Sequence, residues 1–304
     1  MDLRALRAFC EVVRQGGFSQ AARAIHATQP TVSKAVRQLE DEIGMPLLDR
    51  QRQPPRLTAA GDIVFRRAQA MLAEREDLVA ELQELRGLRR GVLRLGLPLL
   101  GSSILFAPLF ARFRSRYPGI EISLAEHGSR RLEDMVSSGE IELGATLTPV
   151  PSAFEYQAVT REPLMALIPP DHCLADAPSL RLAQLRDTPF ILFDSGFALN
   201  PLLLQACERA GYSPAVAARS GQIDFIVALV ASGLGVSFLP RPVAEQRRQS
   251  GVRLVPLDER DAIWEMTLIW RRGGYLSHAA QAWLALNREV YATLPSAAAD
   301  APLS

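Results

Sequence analysis

Several residue types and patterns are scarce in this 304-residue chain, and each scarcity closes off a class of function. The three cysteines, Cys10, Cys173 and Cys207, are far apart and form no CxxC arrangement, so neither a structural zinc site nor a disulfide framework is expected. A redox pair of Cys173 and Cys207 is the alternative; two small packed side chains is the plainer reading. The four histidines are scattered without metal-ligand spacing, so no metal and no cofactor are expected. No run reaches the ~18 apolar residues a membrane span needs. Met1-Asp2-Leu3-Arg4 opens an amphipathic pattern rather than a signal peptide, so a cytoplasmic protein without membrane contact is expected. There is no GxSxG elbow, P-loop, HExxH or glycine-rich nucleotide fingerprint, and Asp194-Ser195-Gly196 is too short a match to support a hydrolase. An enzyme is not expected. Lysine is nearly absent as well: Lys34 is the only one in a chain otherwise served by arginine.

The chain is 48% hydrophobic and 22% charged, enough to bury sizeable cores in two or three domains. Net charge is +1 and says nothing of nucleic acid. Residues 1–90 hold 15 Arg and Lys against 12 Asp and Glu, net +3, and the rest is net −2. That asymmetry is weak, so any case for DNA must rest on pattern.

The pattern is in the first sixty residues. Leu3, Leu6, Phe9, Cys10 and Val13 recur at helical spacing, and Gly16-Gly17 ends the run. Phe18 and Ser19 read as the start of a second, short helix with the Ser19 hydroxyl as its cap. Small residues (Ala21, Ala22) would let a neighbour approach closely. Thr28 can cap a third helix, with Pro30 tolerated in its first turn. That helix has two faces. Val32, Val36, Leu39 and Ile43 form an apolar stripe; Gln29, Ser33 and Arg37 form another, with Pro30 and Lys34 beside them. Helix, short helix, turn and polar-faced helix is a helix-turn-helix arrangement, whose last helix leads into the major groove with its N-terminal residues. Gln29 suits adenine edges; Lys34 and Arg37 suit guanine edges or phosphates. Alternatively, the polar face is merely solvated. Gly44 and Pro46 then stop the helix, and residues 47–50 and 56–58 flank a turn at Pro54-Pro55. This predicts a β-hairpin wing carrying Arg50, Arg52 and Arg56 toward phosphate or the minor groove.

Phe18-Ser19-Gln20-Ala21-Ala22, His26 through Lys34, Leu39 through Gly44, Pro46 through Arg50 and Leu57 through Gly61 together resemble the DNA-binding signature of the LysR family of transcriptional regulators, in its order and spacing. The resemblance implies that Gln29, Pro30, Ser33 and Lys34 face the DNA; the family more often has arginine at the Lys34 position.

From Thr58 to about Arg89 a long helix is expected. Val64, Ala68, Met71, Arg75, Leu78, Leu82 and Leu85 alternate in steps of four and three, a heptad seam with one charged interruption. The seam has no apolar partner nearby, so a homodimer is expected, its interface carrying Val64, Met71, Leu78, Leu82 and Leu85. The resemblance adds antiparallel pairing of this helix, assembly into a homotetramer, and RNA polymerase as a further partner.

Beyond residue 91 strands and helices alternate. The strands are read at Val92–Leu97, Ile120–Leu124, Glu142–Leu147, Leu164–Ile168, Phe190–Phe193, Ala215–Arg219, Val236–Leu239 and Met266–Arg271. Helices lie between them, one running unbroken from Ser102 or Ser103 to Arg116 and a last one over Ser277–Tyr291. This order predicts a largely parallel α/β sheet. The whole is therefore mixed: an all-α winged helix-turn-helix (1–60), a linker helix (61–90), an α/β effector domain (91–295) of two subdomains (92–161 with 267–295, and 162–266), and a flexible tail (296–304). The last domain resembles the periplasmic-binding-protein-like effector domain of the same family, through Arg94-Leu95-Gly96, residues 113–118 and residues 232–236. Ligands in such folds sit at strand C-termini near helix N-termini. That nominates Pro98, Ser102, Ser103, Ser129, Thr148, Phe197, Asn200 and Gln222 as contacts to a small effector, with an anion favoured by the hydroxyls and free N–H groups. Each hydroxyl has a plain alternative role as a helix cap. A solute-binding protein, or a regulator answering only to DNA geometry or a protein partner, are the competing readings.

Overall fold

Asp2 starts the first helix. Its carboxylate accepts the Arg4 N–H at 3.1 Å, and α1 (Leu3–Gln15) runs until Gly16 turns left-handed at φ 71°. The computed structural model describes residues 2–50, 54–84, 91–248, 251–259 and 262–291, and divides into an N-terminal and a C-terminal unit. The expected tail at 296–304, the linker beyond residue 84, and the side chains of Arg52 and Leu85 lie outside the described residues.

In the N-terminal unit α2 (Phe18–Ala24) follows Gly17 directly. Ser19 was expected to cap it and does not: the two glycines bring the chain straight into the helix, so Ser19 falls inside its first turn and the cap is Gly17. In α3 (Gln29–Ile43) the Thr28 Oγ1 accepts the Thr31 N–H, Pro30 sits in the first turn, and Gly44 ends the helix at φ 76°. The hairpin is short: β1 (Leu48–Asp49) lies antiparallel to β2 (Arg56–Leu57). The Thr58 hydroxyl donates to Pro46 O at 2.7 Å and accepts the Gly61 N–H at 2.9 Å, starting α4 (Ala59–Glu84). Gly61 has to be glycine for space, because a Cβ there would fall 2.0 Å from Leu47 O. Leu6, Phe9, Val32, Val36, Leu39 and Leu47 make the core, and Phe65 of α4 meets Phe9 edge-on at 6.4 Å.

The C-terminal unit opens as expected. β3 (Gly91–Leu97) pairs in parallel with β4 (Ile120–Glu126) and with β5 (Leu143–Leu147). Between them lie α5 (Ser102–Leu105), α6 (Ala107–Arg116) and α7 (Ser129–Ser137). The single helix expected over 102–116 is broken at Phe106, since Pro108 lacks the N–H that would continue it. The largest departure is β6 (Phe154–Ile168), a 15-residue strand expected only from Leu164. It pairs antiparallel with β11 (Ile263–Arg271) over residues 154–163, and its far end carries β9 (Ser237–Pro240) on one side and β10 (Arg253–Pro256) on the other, all antiparallel. β11 is also antiparallel to β5, so the main sheet is mixed, not largely parallel. The first half of β6 has β11 along one edge, which tolerates Pro163 and charged residues, and those hid it from a hydrophobicity reading. β10 was not expected at all.

The second lobe is built on β7 (Phe190–Phe193), parallel to β8 (Val216–Ser220), with α8 (Leu199–Arg209), α9 (Ile223–Ala231) and α10 (Arg241–Glu245). The closing helix α11 (His278–Tyr291) returns to the first lobe, where Trp283 meets Phe110 and Phe113 edge-on at 5.1 and 5.2 Å. Each such pair adds about 0.5–1.5 kcal/mol beyond its buried area.

Candidate nucleic-acid interface and ligand cleft

The Thr28 cap fixes where α3 begins, and 3.6-residue periodicity then sorts its side chains. Val32, Val36 and Leu39 are buried, whereas Thr28, Gln29, Pro30, Lys34, Arg37 and Gln38 are exposed and Ser33 is half-buried. Gln29, Pro30, Ser33, Lys34, Arg37, Gln38 and Asp41 line one open surface depression, so every polar position nominated from Gln29 to Arg37 is gathered there. Gln38 and Asp41 were not foreseen, though both continue the same helical stripe.

The wing's arginines are unequal. Arg56 is exposed on β2. Arg50 points back to α3, where its guanidinium is 2.5 Å from the Glu40 carboxylate and lies over the Phe18 ring at 5.4 Å. The same Glu40 side chain accepts the N–H groups of Leu47 at 2.9 Å and Leu48 at 3.3 Å. Glu40 thus fixes the wing on the recognition helix. On α4, Val64 packs partly against the N-terminal core, whereas Met71, Leu78 and Leu82 stand 42, 56 and 52% exposed.

In the C-terminal unit a cleft of about 780 Å³ lies between the lobes. Ser129, Thr148 and Phe197, three of the nominated residues, line it. Pro98 lines an adjoining apolar slot of about 20 Å³ beside Trp264 and Met266, which has room for about one water. The loops after β4 and β7 close over this slot backbone to backbone: a Cβ on Gly128 would fall 2.2 Å from Gly196 O. Phe197 stacks on Phe193 at 4.6 Å.

The other four nominees line neither space. Ser102 donates its hydroxyl to Pro98 O, and Ser103 is exposed. Asn200 is 5% exposed and fully occupied as a latch: its Nδ2 donates to Phe193 O and Asp194 O, and its Oδ1 accepts the Phe193 N–H. Gln222 is exposed at the start of α9. The cleft has instead charged walls that sequence reasoning missed: Arg130 and Glu133 of α7, Arg161 of β6, Arg209 of α8 and Glu265 of β11. Thr146 Oγ1 donates to Glu133 at 2.7 Å, and Thr148 Oγ1 to Glu265 at 3.4 Å. Burial pushes the Glu133 carboxyl above its usual range, more than the Thr146 hydrogen bond pulls it down. Cys10 and Cys207 are buried and Cys173 is exposed. No described helix is long and apolar enough to cross a membrane.

A winged helix-turn-helix followed by a two-lobed α/β unit with a ligand-sized cleft defines a ligand-responsive DNA-binding regulator. Residues 3–62 match the model of the bacterial regulatory helix-turn-helix protein, lysR family, and residues 86–292 that of the LysR substrate binding domain. The chain belongs to the LysR family of transcriptional regulators, with a helix-turn-helix DNA-binding domain and an effector-binding domain; it is a regulator and not an enzyme. It is 33% identical over 285 residues to the uncharacterized HTH-type transcriptional regulator YwbI of Bacillus subtilis (strain 168), which covers 93% of this chain and 95% of that protein. Its fold is similar to a full-length OxyR variant from Pseudomonas aeruginosa, with TM-score 0.64, 24% identity and 95% of each chain covered. It is similar also to full-length CbnR solved with its target DNA, with TM-score 0.54, 22% identity, and 95% of this chain and 99% of that one covered.

Proposed function

We propose that this regulator reads operator DNA with the exposed stripe of α3: Thr28, Gln29, Pro30, Ser33, Lys34 and Arg37. The observation that carries this is the gathering of those side chains, from Gln29 onward, on one open face of a capped helix. Arg56, with Arg52 beside it in the sequence, supplies phosphate contacts from the wing, and Arg50 serves by holding the wing in place. The seam Val64, Met71, Leu78, Leu82 and Leu85 pairs two chains, and pairs of dimers make a tetramer on an extended promoter site, where RNA polymerase is the downstream partner in the cytoplasm. The exposed Met71, Leu78 and Leu82 support the first step. A small ligand with an anionic group, held by arginines of the cleft, shifts the regulator between DNA-bound arrangements by no more than its differential affinity for them.

Fluorescence anisotropy of the full chain on DNA from its own upstream region, titrated across salt with and without small organic acids, tests this. Lys34→Ala is expected to cost about 1–3 kcal/mol on the operator and much less on random duplex. Arg56→Ala is expected to weaken all sequences and flatten the salt slope by about one unit. An unchanged footprint after both would move the interface elsewhere. Light scattering that showed a monomer at micromolar concentration would remove the paired helix.

A further inference from the structure

We infer that the effector is a zwitterion, carrying a protonated amine beside its carboxylate. This rests on the effector-cleft reading above and narrows it. The argument starts from the wall formed by β5 and β11. Thr146 lies near the end of β5 and Thr148 just beyond it, and both line the cleft. A hydroxyl has one hydrogen to give. Thr146 gives its hydrogen to Glu133, and Thr148 gives its own to Glu265. Neither can donate to a ligand carboxylate while it serves its glutamate. What this wall offers a ligand is acceptor: two carboxylates, both lining the cleft.

The opposite charge is adjacent. Glu265 and Arg161 face each other across the β11–β6 ladder, so their side chains rise from neighbouring points on one face of the sheet. Both line the cleft. Arg130 and Arg209 bring further positive charge from α7 and α8. A ligand bearing only a carboxylate gains from Arg161 but brings like charge against Glu265. A ligand bearing only an amine has the reverse problem. An amino-carboxylate satisfies both walls at once. The volume of about 780 Å³ is within the usual range for a small-molecule site and leaves room for a side group. Burial already disfavours the charged form of Glu133, and an ammonium group brought against it would restore that form.

The test uses the full chain and matched triplets: each common α-amino acid, the same molecule without its amine, and the same molecule without its carboxylate. Binding is read by calorimetry and by thermal shift. The expected result is one or more amino acids binding at least about tenfold tighter than both of their truncated partners. Glu265→Gln is expected to bring that amino acid down to its deaminated partner, and Arg161→Gln to weaken both equally. A deaminated acid that binds as tightly as its amino acid overturns the zwitterion while leaving an anion-binding cleft intact. Failure of every amino acid to bind overturns it too; if the organic acids of the anisotropy assay also leave DNA binding unmoved, the effector-cleft reading falls with it.

Discussion

Glu40 of the recognition helix and Arg50 of the wing are joined at 2.5 Å, and the same carboxylate caps the N–H groups of Leu47 and Leu48 at the start of the hairpin. The two partners do not contribute equally. Arg50 is 36% exposed, and a pair that open to solvent contributes ~0–1 kcal/mol. Removing Glu40 leaves two backbone donors of buried residues without their acceptor, at about 1–3 kcal/mol each. Glu40→Ala is therefore expected to lower the melting temperature clearly more than Arg50→Ala. Equal losses in a denaturation series would mean that the backbone contacts carry little.

Gly61 marks where α4 passes β1. With a Cβ falling 2.0 Å from a carbonyl oxygen, nothing flexible can yield, so backbone must move. Gly61→Ala is expected to destabilise the N-terminal unit by about 1–3 kcal/mol, the usual scale of overpacking. Urea unfolding followed by circular dichroism checks this; a midpoint equal to the parent's would show that the hairpin shifts freely.

Gly128→Ala makes a different use of the same kind of contact. Its Cβ would meet Gly196 O at 2.2 Å and hold the two loops over the cleft apart. Operator binding without effector is expected to stay near the parent's, while the change on adding effector shrinks. Anisotropy titrations with and without effector decide it, and a full effector response in the variant would show that the loops need not touch.

Glu133 should leave a pH signature. Its carboxyl titrates higher folded than unfolded, mainly through burial, so the folded chain holds its proton over a window where the unfolded chain has released it. Stability contributed by the protonated form is present at low pH and is lost as pH rises from the ordinary glutamate range through the folded value. Glu133→Gln keeps an acceptor for Thr146 and removes the titration. Its melting temperature is expected to gain on the parent as pH rises through that window, and two parallel curves would contradict the assignment.

The N-terminal unit was legible because its signals are local. Thr28, Pro30 and Gly44 bound α3 by their own backbone chemistry, and the polar stripe follows from periodicity alone. Ser19 misled because a hydroxyl two positions past the cap looks the same in sequence as a cap. The cleft was legible only in outline. Strand ends pointed to the segments around Ser129 and Phe197, but Asn200 lies in the first turn of α8 with its amide turned inward onto Phe193 and Asp194. Arg161 and Glu265 were invisible because the register of β6 on β11 brings them together, and no short window of sequence contains a register.

Lys34 is exposed on the open face of α3, and it is the only lysine of the chain. Lysine-directed chemistry therefore has one side-chain address on this protein. An acetyl group or a crosslinker carried on a lysine side chain can therefore sit only on the recognition helix, and the rate at which the Lys34 amine is modified reads whether that face is covered.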